Sequence, residues 1–189
     1  MTERFETRQW VPFPVEQVFA FFAMPANLPR LMPDQMKTRI DEARLTAPPE
    51  LPASSEQLFR NIDGGISSAA GVGSEIQVSF SPFSWSKKRV NWTARVIDFE
   101  WNSYIRDEQV HGPFREFRHR HGITVESRYG RVGTLISDDI QYVMPYGLLG
   151  QLGDGFVQRL LARSFEERQK QLPKLLAVES AMNRVFAPE

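Results

Sequence analysis

Residues 114–144 read FREFRHRHGITVESRYGRVGTLISDDIQYVM, from Phe114 to Met144. Segments 114–126 and 132–144 each alternate apolar with polar residues, and Tyr129-Gly130 lies between them. That pattern predicts two strands joined by a two-residue turn. With Tyr129-Gly130 as the turn, Arg128 pairs with Arg131. Counting back, Val125 faces Thr134, Ile123 faces Ile136, His121 faces Asp138, His119 faces Ile140 and Phe117 faces Tyr142. All ten share one face, because side chains of a strand repeat every two residues. A one-residue slip would scatter them. The register therefore predicts a largely apolar face that carries two imidazoles and places His121 beside the Asp138 carboxylate. That carboxylate favours the charged imidazole and burial opposes it.

Upstream, Gly112-Pro113 marks another turn, and residues 74–81, 88–99 and 103–111 read as further strands. Ile76, Val78 and Phe80 share one face of the first, and Val90, Trp92, Ala94 and Val96 one face of the second. At the N-terminus Phe5, Thr7, Gln9 and Val11 alternate with Glu6, Arg8 and Trp10, predicting a first strand that Pro12 ends. Pro14 then suits the first turn of a helix. Val15, Val18, Phe19 and Phe22 follow at helical spacing, and Pro25 ends the run. A short helical turn over 25–31 and a strand over 37–45 come next. The C-terminal third is helical: Asp154 is placed to cap it. Val157, Leu160, Leu161, Ser164, Phe165, Arg168 and Leu172 form its mostly apolar face. Pro173 is expected to kink or end it. Arg159, Arg163, Arg168 and Lys170 otherwise read as polar-face residues.

Residues 46–74 differ in composition. Pro48-Pro49, Pro52, Ser54-Ser55, Gly64-Gly65, Ser67-Ser68 and Gly71 mark an irregular insertion, with residues 57–62 as a brief ordered piece. The order of elements is strand, short helices, a meander of strands and a long helix. Its simplest packing is α+β: a curved antiparallel sheet with the long helix across its concave side. At 189 residues the chain is expected to be one domain, 1–189.

Composition narrows the function classes. Lys and Arg total 23 against 23 Asp and Glu, so the formal charge is zero and nucleic acid is not an expected partner. There is no cysteine, which removes disulfides, thiolate nucleophiles and cysteine metal sites. The opening Met1-Thr2-Glu3-Arg4-Phe5-Glu6 is charged from the start, unlike a signal peptide. The longest apolar run, 18–24, is too short to span a bilayer. A cytoplasmic location without an integral membrane segment is the expectation. No nucleophile-elbow, P-loop, dinucleotide or zincin motif appears. Fourteen Phe and four Trp supply apolar walls for a core or for a ligand cavity.

A set of spaced motifs carries a family resemblance. They are Pro14-x-x-x-Val18-Phe19, Pro25-x-Asn27-Leu28-Pro29, Trp92-x-Ala94-x-Val96 and Asp107-x-Gln109-x-x-Gly112-Pro113-Phe114. Phe117-x-His119-x-His121 and Thr134-x-x-x-Asp138-x-x-x-Tyr142-x-x-Pro145-x-Gly147 complete it. The chain resembles the SRPBCC (START/Bet v 1-like) superfamily over nearly its whole length except 46–74. Within it, the group labelled polyketide cyclase/dehydrase or cell-division-inhibitor-like is the most similar. Phe117 stands where relatives often have Trp, and 46–74 is longer than the usual turn. The resemblance implies a helix-grip fold: seven antiparallel strands wrapped around the C-terminal helix, with two short helices after the first strand. It also implies binding of hydrophobic small molecules such as lipids, quinones or polyketides.

Trp92, Gln109, Phe117, His119, His121, Tyr142 and Phe165 are the candidate ligand-binding residues. His119, His121 and Asp138 are the candidates for acid/base chemistry, should the protein be a cyclase, dehydratase or isomerase. A purely structural cluster is the competing reading of the histidines. His119, His121 and Asp138 could supply three metal ligands. With three histidines in all and nothing else pointing to an ion, neither metal nor cofactor is expected. A docking role for an exposed sheet face or for 46–74 is the remaining alternative. The basic run Trp85-Ser86-Lys87-Lys88-Arg89 reads as a solvated hairpin tip.

Overall fold

The computed structural model describes residues 1–53, 55–56, 65–82, 88–145 and 153–185. Strand β1 (Glu3–Val11) leads into helix α1 (Val15–Ala23), a 3-10 turn (Pro25–Asn27) and the short helix α2 (Leu28–Leu31). Six more strands follow: β2 (Arg39–Arg44), β3 (Glu75–Phe80), β4 (Val90–Glu100), β5 (Tyr104–His111), β6 (Glu116–Arg128) and β7 (Arg131–Val143). A 32-residue helix, α3 (Asp154–Val185), ends the described chain. The strands form one antiparallel sheet in the order β1-β7-β6-β5-β4-β3-β2. This is the expected helix-grip α+β architecture.

The β6–β7 register is the one the turn dictates. Arg128 pairs with Arg131, His121 with Asp138, His119 with Ile140 and Phe117 with Tyr142. Tyr129 (φ 53°) and Gly130 (φ 71°) both take left-handed backbone, as a two-residue hairpin turn requires. Thr134 is fully buried, but its partner Val125 is 61% exposed. The reason lies in the neighbouring strands. β1 pairing with β7 stops at Val11 opposite Thr134, and β5 pairing with β6 stops at Tyr104 opposite Gly122. Beyond those points the hairpin projects as two strands alone.

Residues 57–62 lie outside the described residues. The described flanks of 46–74 are stapled to each other, Gly71 N–H donating to the Thr46 carbonyl (3.0 Å), and to the body, Ala70 N–H donating to the Ala23 carbonyl (2.9 Å). Trp101 Nε1 donates to the Pro49 carbonyl (3.0 Å). A side chain at Gly71 would run into the backbone of Ala47 and Pro48, so the close approach requires glycine. Of the basic run, 83–87 lie outside the described residues. Arg89 is not a solvated tip residue: its guanidinium donates to the carbonyls of Lys37 (2.8 Å) and Ser79 (2.5 Å).

Apolar packing is divided in two. One cluster gathers Phe19, Phe21, Ile123, Ile136, Leu172 and Leu176. The other gathers Phe117, Ile140, Tyr142, Val157 and Phe165. Each main element contributes to both: Ile136 and Ile140 from β7, Ile123 and Phe117 from β6, Leu172 and Phe165 from α3. The residues between these pairs are Asp138, His119 with His121, and Arg168. A polar layer therefore crosses the interior at mid-height.

Pro173 does not end α3, which continues to Val185. Proline has no N–H for the carbonyl four residues back, here that of Gln169. The Gln9 side chain supplies the missing donor, Nε2 to the Gln169 carbonyl at 2.7 Å. Gln169 in turn donates to Thr7 Oγ1 (2.8 Å), fastening α3 to β1 at the break. Losing the donor to this part-buried carbonyl costs about 1 kcal/mol, the low end of the range for a fully buried one. Gln9→Ala should therefore lower unfolding free energy by about that amount, read from urea denaturation. In a Pro173→Ala background, where residue 173 regains its N–H, the same change should cost markedly less. Equal losses in both backgrounds would contradict this account.

Candidate functional site

The polar layer is built from four elements. β7 supplies Asp138, only 5% exposed although it carries a carboxylate. β6 supplies His119 and His121, β5 supplies Asp107, and α3 supplies Arg168. Asp138 Oδ1 accepts from His119 Nε2 at 3.0 Å, from His121 Nδ1 at 2.8 Å and from an Arg168 guanidinium nitrogen at 3.0 Å. The same guanidinium nitrogen reaches Asp138 Oδ2, also at 3.0 Å. An ionised carboxylate only accepts, so each ring must present an N–H to it. That assigns the Nε2–H form to a neutral His119 and the Nδ1–H form to a neutral His121. The imidazole ring centroids lie 3.7 Å apart. On the far side of His121, Nε2 faces Asp107 Oδ2 at 3.5 Å.

Aromatic rings enclose these charges. The Arg168 guanidinium stacks over Phe22 (4.7 Å) and Phe165 (4.9 Å), which suits its weakly hydrated planar cation. Phe22 also packs on His121 (5.7 Å), and Phe165 on His119 (6.0 Å). Phe117 touches His119 (6.4 Å) edge-on and meets Trp92 at 4.6 Å. Phe114 joins Trp92 to Tyr142. Trp92, Phe117, His119, Tyr142 and Phe165 thus belong to one contiguous group.

Two singled-out residues have structural partners. The Tyr142 hydroxyl donates to Asp154 and accepts from Gln158 Nε2 (2.8 Å). Burial, reinforced by the Asp154 carboxylate, pushes that phenol well above its ordinary range. Asp154 therefore ties the start of α3 to β7. Gln109 braces the Gly112-Pro113 turn, its Nε2 donating to the Phe114 carbonyl (2.8 Å) and its Oε1 accepting from the Phe114 N–H (3.3 Å). A side chain at Gly112 would collide with this amide.

The electrostatics follow from burial and partners. Burial alone would raise the Asp138 carboxyl, but Arg168 and the two imidazole donors hold it well below the usual carboxylate range. Burial lowers His119, and the neighbouring His121 charge adds to that, against the pull of Asp138 and Asp107. Burial also opposes charge on His121, yet the Asp107 and Asp138 carboxylates outweigh it and raise that imidazole. The two rings are driven in opposite directions.

Arg168 and Asp107 join the site without having been candidates for it. By residue type Arg168 belongs with the polar face of the last helix, although its spacing also places it between Phe165 and Leu172 on the apolar face. Its side chain is 11% exposed. The helical spacing is the usable signal. Asp107 reads from the sequence as part of a solvated polar cluster. A two-residue turn at Gly112-Pro113 would pair it with Arg118, facing outward. The actual turn is longer and pairs Asp107 with His119. Nothing in the residues 112–115 sets that parity in advance.

Comparison with known proteins agrees with the fold. A family model described as polyketide cyclase / dehydrase and lipid transport matches residues 11–169. No curated protein sequence matches the chain. Among solved structures, a norcoclaurine synthase point mutant from Thalictrum flavum, in complex with a transition-state analogue, is similar with TM-score 0.58 at 12% identity. That likeness covers 95% of this chain and 97% of the other. The protein TTHA0849 from Thermus thermophilus is similar with TM-score 0.57 at 16% identity, over 94% and 99% of the two chains. Ginseng major latex-like protein 151 from Panax ginseng gives 0.53 at 11% identity, over 91% and 99%. At such identities the structural likeness shows the fold alone.

The electrostatics carry a signed prediction. His119 has a lowered folded value, so its contribution to stability is present above about 6.5, the unfolded imidazole value, and is lost as pH falls through the folded one. His121 has a raised value. Its contribution is full below about 6.5 and is lost as pH rises past the folded value. Nitrogen-detected NMR titration should find the two rings titrating on opposite sides of about 6.5. Indistinguishable titrations would contradict the assignment.

Proposed function

The chain belongs to the polyketide cyclase/dehydrase and lipid transport family, and on that premise we propose that it binds a hydrophobic small molecule between the sheet and α3. The ligand class is a lipid, quinone or polyketide-like molecule. In this reading the whole chain, 1–189, acts as one ligand-binding domain. Trp92, Phe117, Tyr142 and Phe165 make the apolar contacts, and His119 and His121 orient a polar group. Gln109 acts from the Gly112-Pro113 turn.

One observation carries the proposal: a layer of ionisable groups, Asp107-His119-His121-Asp138-Arg168, set between two apolar clusters. Such a layer is a poor way to stabilise a fold. Burying charges costs several kcal/mol per ion, and well-packed apolar residues of similar volume often do as well or better. Perturbed buried groups of this kind cluster where proteins meet ligands. Among the described residues no helix is long and apolar enough to cross a membrane. The family's description also names lipid transport.

A second reading is favoured by the shared Asp138 oxygen, which fixes both imidazoles in set tautomers. A cyclase, dehydratase or isomerase would use His119 or His121 to move a proton on the bound molecule. The same site serves either role, and turnover separates them.

Native mass spectrometry of freshly purified protein, followed by organic extraction, tests the proposal. The expected result is a retained apolar molecule near one per chain, or stoichiometric uptake from a panel of fatty acids, quinones and aromatic polyketides. A chain that is empty and takes up none of them would overturn it. If a bound molecule returns chemically altered, and His119→Gln or His121→Gln abolishes the alteration but not uptake, the enzymatic reading holds.

A further inference from the structure

We propose that Asp107, His119 and His121 form a binding site for a borderline divalent metal ion of the Zn2+, Co2+ or Fe2+ type. The site involves Asp107 in place of Asp138, the carboxylate that the spacing of the chain would have nominated. It does not depend on the hydrophobic-ligand reading.

Each of the three residues offers one donor atom, and those atoms lie within 4.8 Å of one another. Two bonds of about 2.1 Å at a tetrahedral angle place donor atoms about 3.4 Å apart. His121 Nε2 and Asp107 Oδ2 already stand at 3.5 Å. That gap is long for a charge-assisted hydrogen bond, which closes to about 2.7–2.9 Å, and matches two donors sharing an ion. His119 brings a ring nitrogen within the same 4.8 Å limit.

The tautomers favour the same conclusion. Asp138 takes an N–H from each ring, through His119 Nε2 and His121 Nδ1. A neutral His121 then turns the lone pair of Nε2 directly toward the Asp107 carboxylate. Lone pair against carboxylate is repulsive, so that position calls for a cation. A proton or a metal ion would fill it. A carboxylate on the outer nitrogen of a ligating imidazole is the arrangement that fixes ring orientation and raises basicity in metal sites. Asp138 does this for His121, taking its Nδ1–H while Nε2 faces Asp107.

The charge balance agrees. Arg168 is bound to both Asp138 oxygens and neutralises that carboxylate. Asp107 has no comparable partner: among the described residues its one neighbour at ion-pair distance is His121. With both rings neutral the layer carries one uncompensated negative charge, which either a proton on His121 or a metal ion in its place balances. Two imidazoles and one carboxylate favour a borderline transition ion over Mg2+ or Ca2+, which prefer all-oxygen sites. Three protein ligands leave coordination positions open, so a bound ion would present a Lewis-acidic face to a carbonyl or hydroxyl group in the interior.

The test uses the full chain, stripped with a chelator and dialysed. Titration with Zn2+ by calorimetry, and with Co2+ by its visible absorption, should each give one site per chain. Mg2+ should give none. Asp107→Asn and His121→Gln should each weaken Zn2+ binding at least tenfold. Asp138→Asn should weaken it about 10–100-fold by releasing the rings. His111→Gln, an exposed histidine outside the layer, should leave it unchanged. Circular dichroism identifies any variant that fails to fold, and Asp107→Asn, which keeps both rings and the Asp138–Arg168 pair, is the variant to rely on. No uptake of Zn2+ or Co2+ by the folded chain would overturn the proposal. Binding that survives both Asp107→Asn and His121→Gln would mean adventitious surface binding and would overturn it equally.

Discussion

The contact between Asp138 and Arg168 is the constraint on which the rest of the interior depends. It joins β7, next to the edge strand β1, to the middle of the helix that the sheet grips, at 3.0 Å to both carboxylate oxygens. A buried carboxylate without a cation is driven to take up a proton, and one of its oxygens then becomes a donor while its hold on two imidazole N–H groups weakens. Arg168 keeps it ionised. Once ionised, Asp138 sets the tautomer of His119 and His121, and with it the direction in which each ring presents its remaining nitrogen. The orientation of both imidazoles follows from one ion pair.

Charge in that position divides the apolar core. Phe19, Ile123, Ile136 and Leu172 pack on one side, and Phe117, Ile140, Tyr142 and Phe165 on the other. The strand period makes this division unavoidable. On β7, Ile136, Asp138 and Ile140 occupy successive inward positions, so a polar residue in the middle must interrupt the packing. The aromatic faces of Phe22 and Phe165 over Arg168 soften the transition. Stability that the charged layer forgoes is made up elsewhere, in the two apolar clusters and in tethers such as Gln9 to Gln169 and Gln17 to the Leu176 carbonyl (2.8 Å).

Local signals are enough for much of this. The Tyr129-Gly130 turn sets the β6–β7 register, and that register alone brings His121 to Asp138 and Phe117 to Tyr142. Proline and helical spacing place α1, and the spaced motifs point to the helix-grip fold. What could not be read depends on partners distant in the chain. Pro173 ends a helix unless another group replaces its N–H, and the replacement comes from Gln9 on the first strand. Arg168 is polar by type and inward by spacing; only a buried carboxylate across the interior decides between them. Asp107 turns inward because β5 pairs with β6 one residue out of step with a two-residue turn at Gly112-Pro113, an offset those residues do not determine. Val125 has the inward parity but projects past the neighbouring strands, which no pattern within β6 records.

A double-mutant cycle on Asp138 and Arg168 tests the central claim most directly. Asp138→Asn, Arg168→Met and the pair together would be compared by unfolding free energy at neutral pH. Breaking a buried pair by removing one partner typically costs about 3–5 kcal/mol, because the other charge is left uncompensated. The account predicts that each single change is costly and that the double change costs well under their sum. Additive losses would mean that the two groups do not depend on each other, and would contradict it.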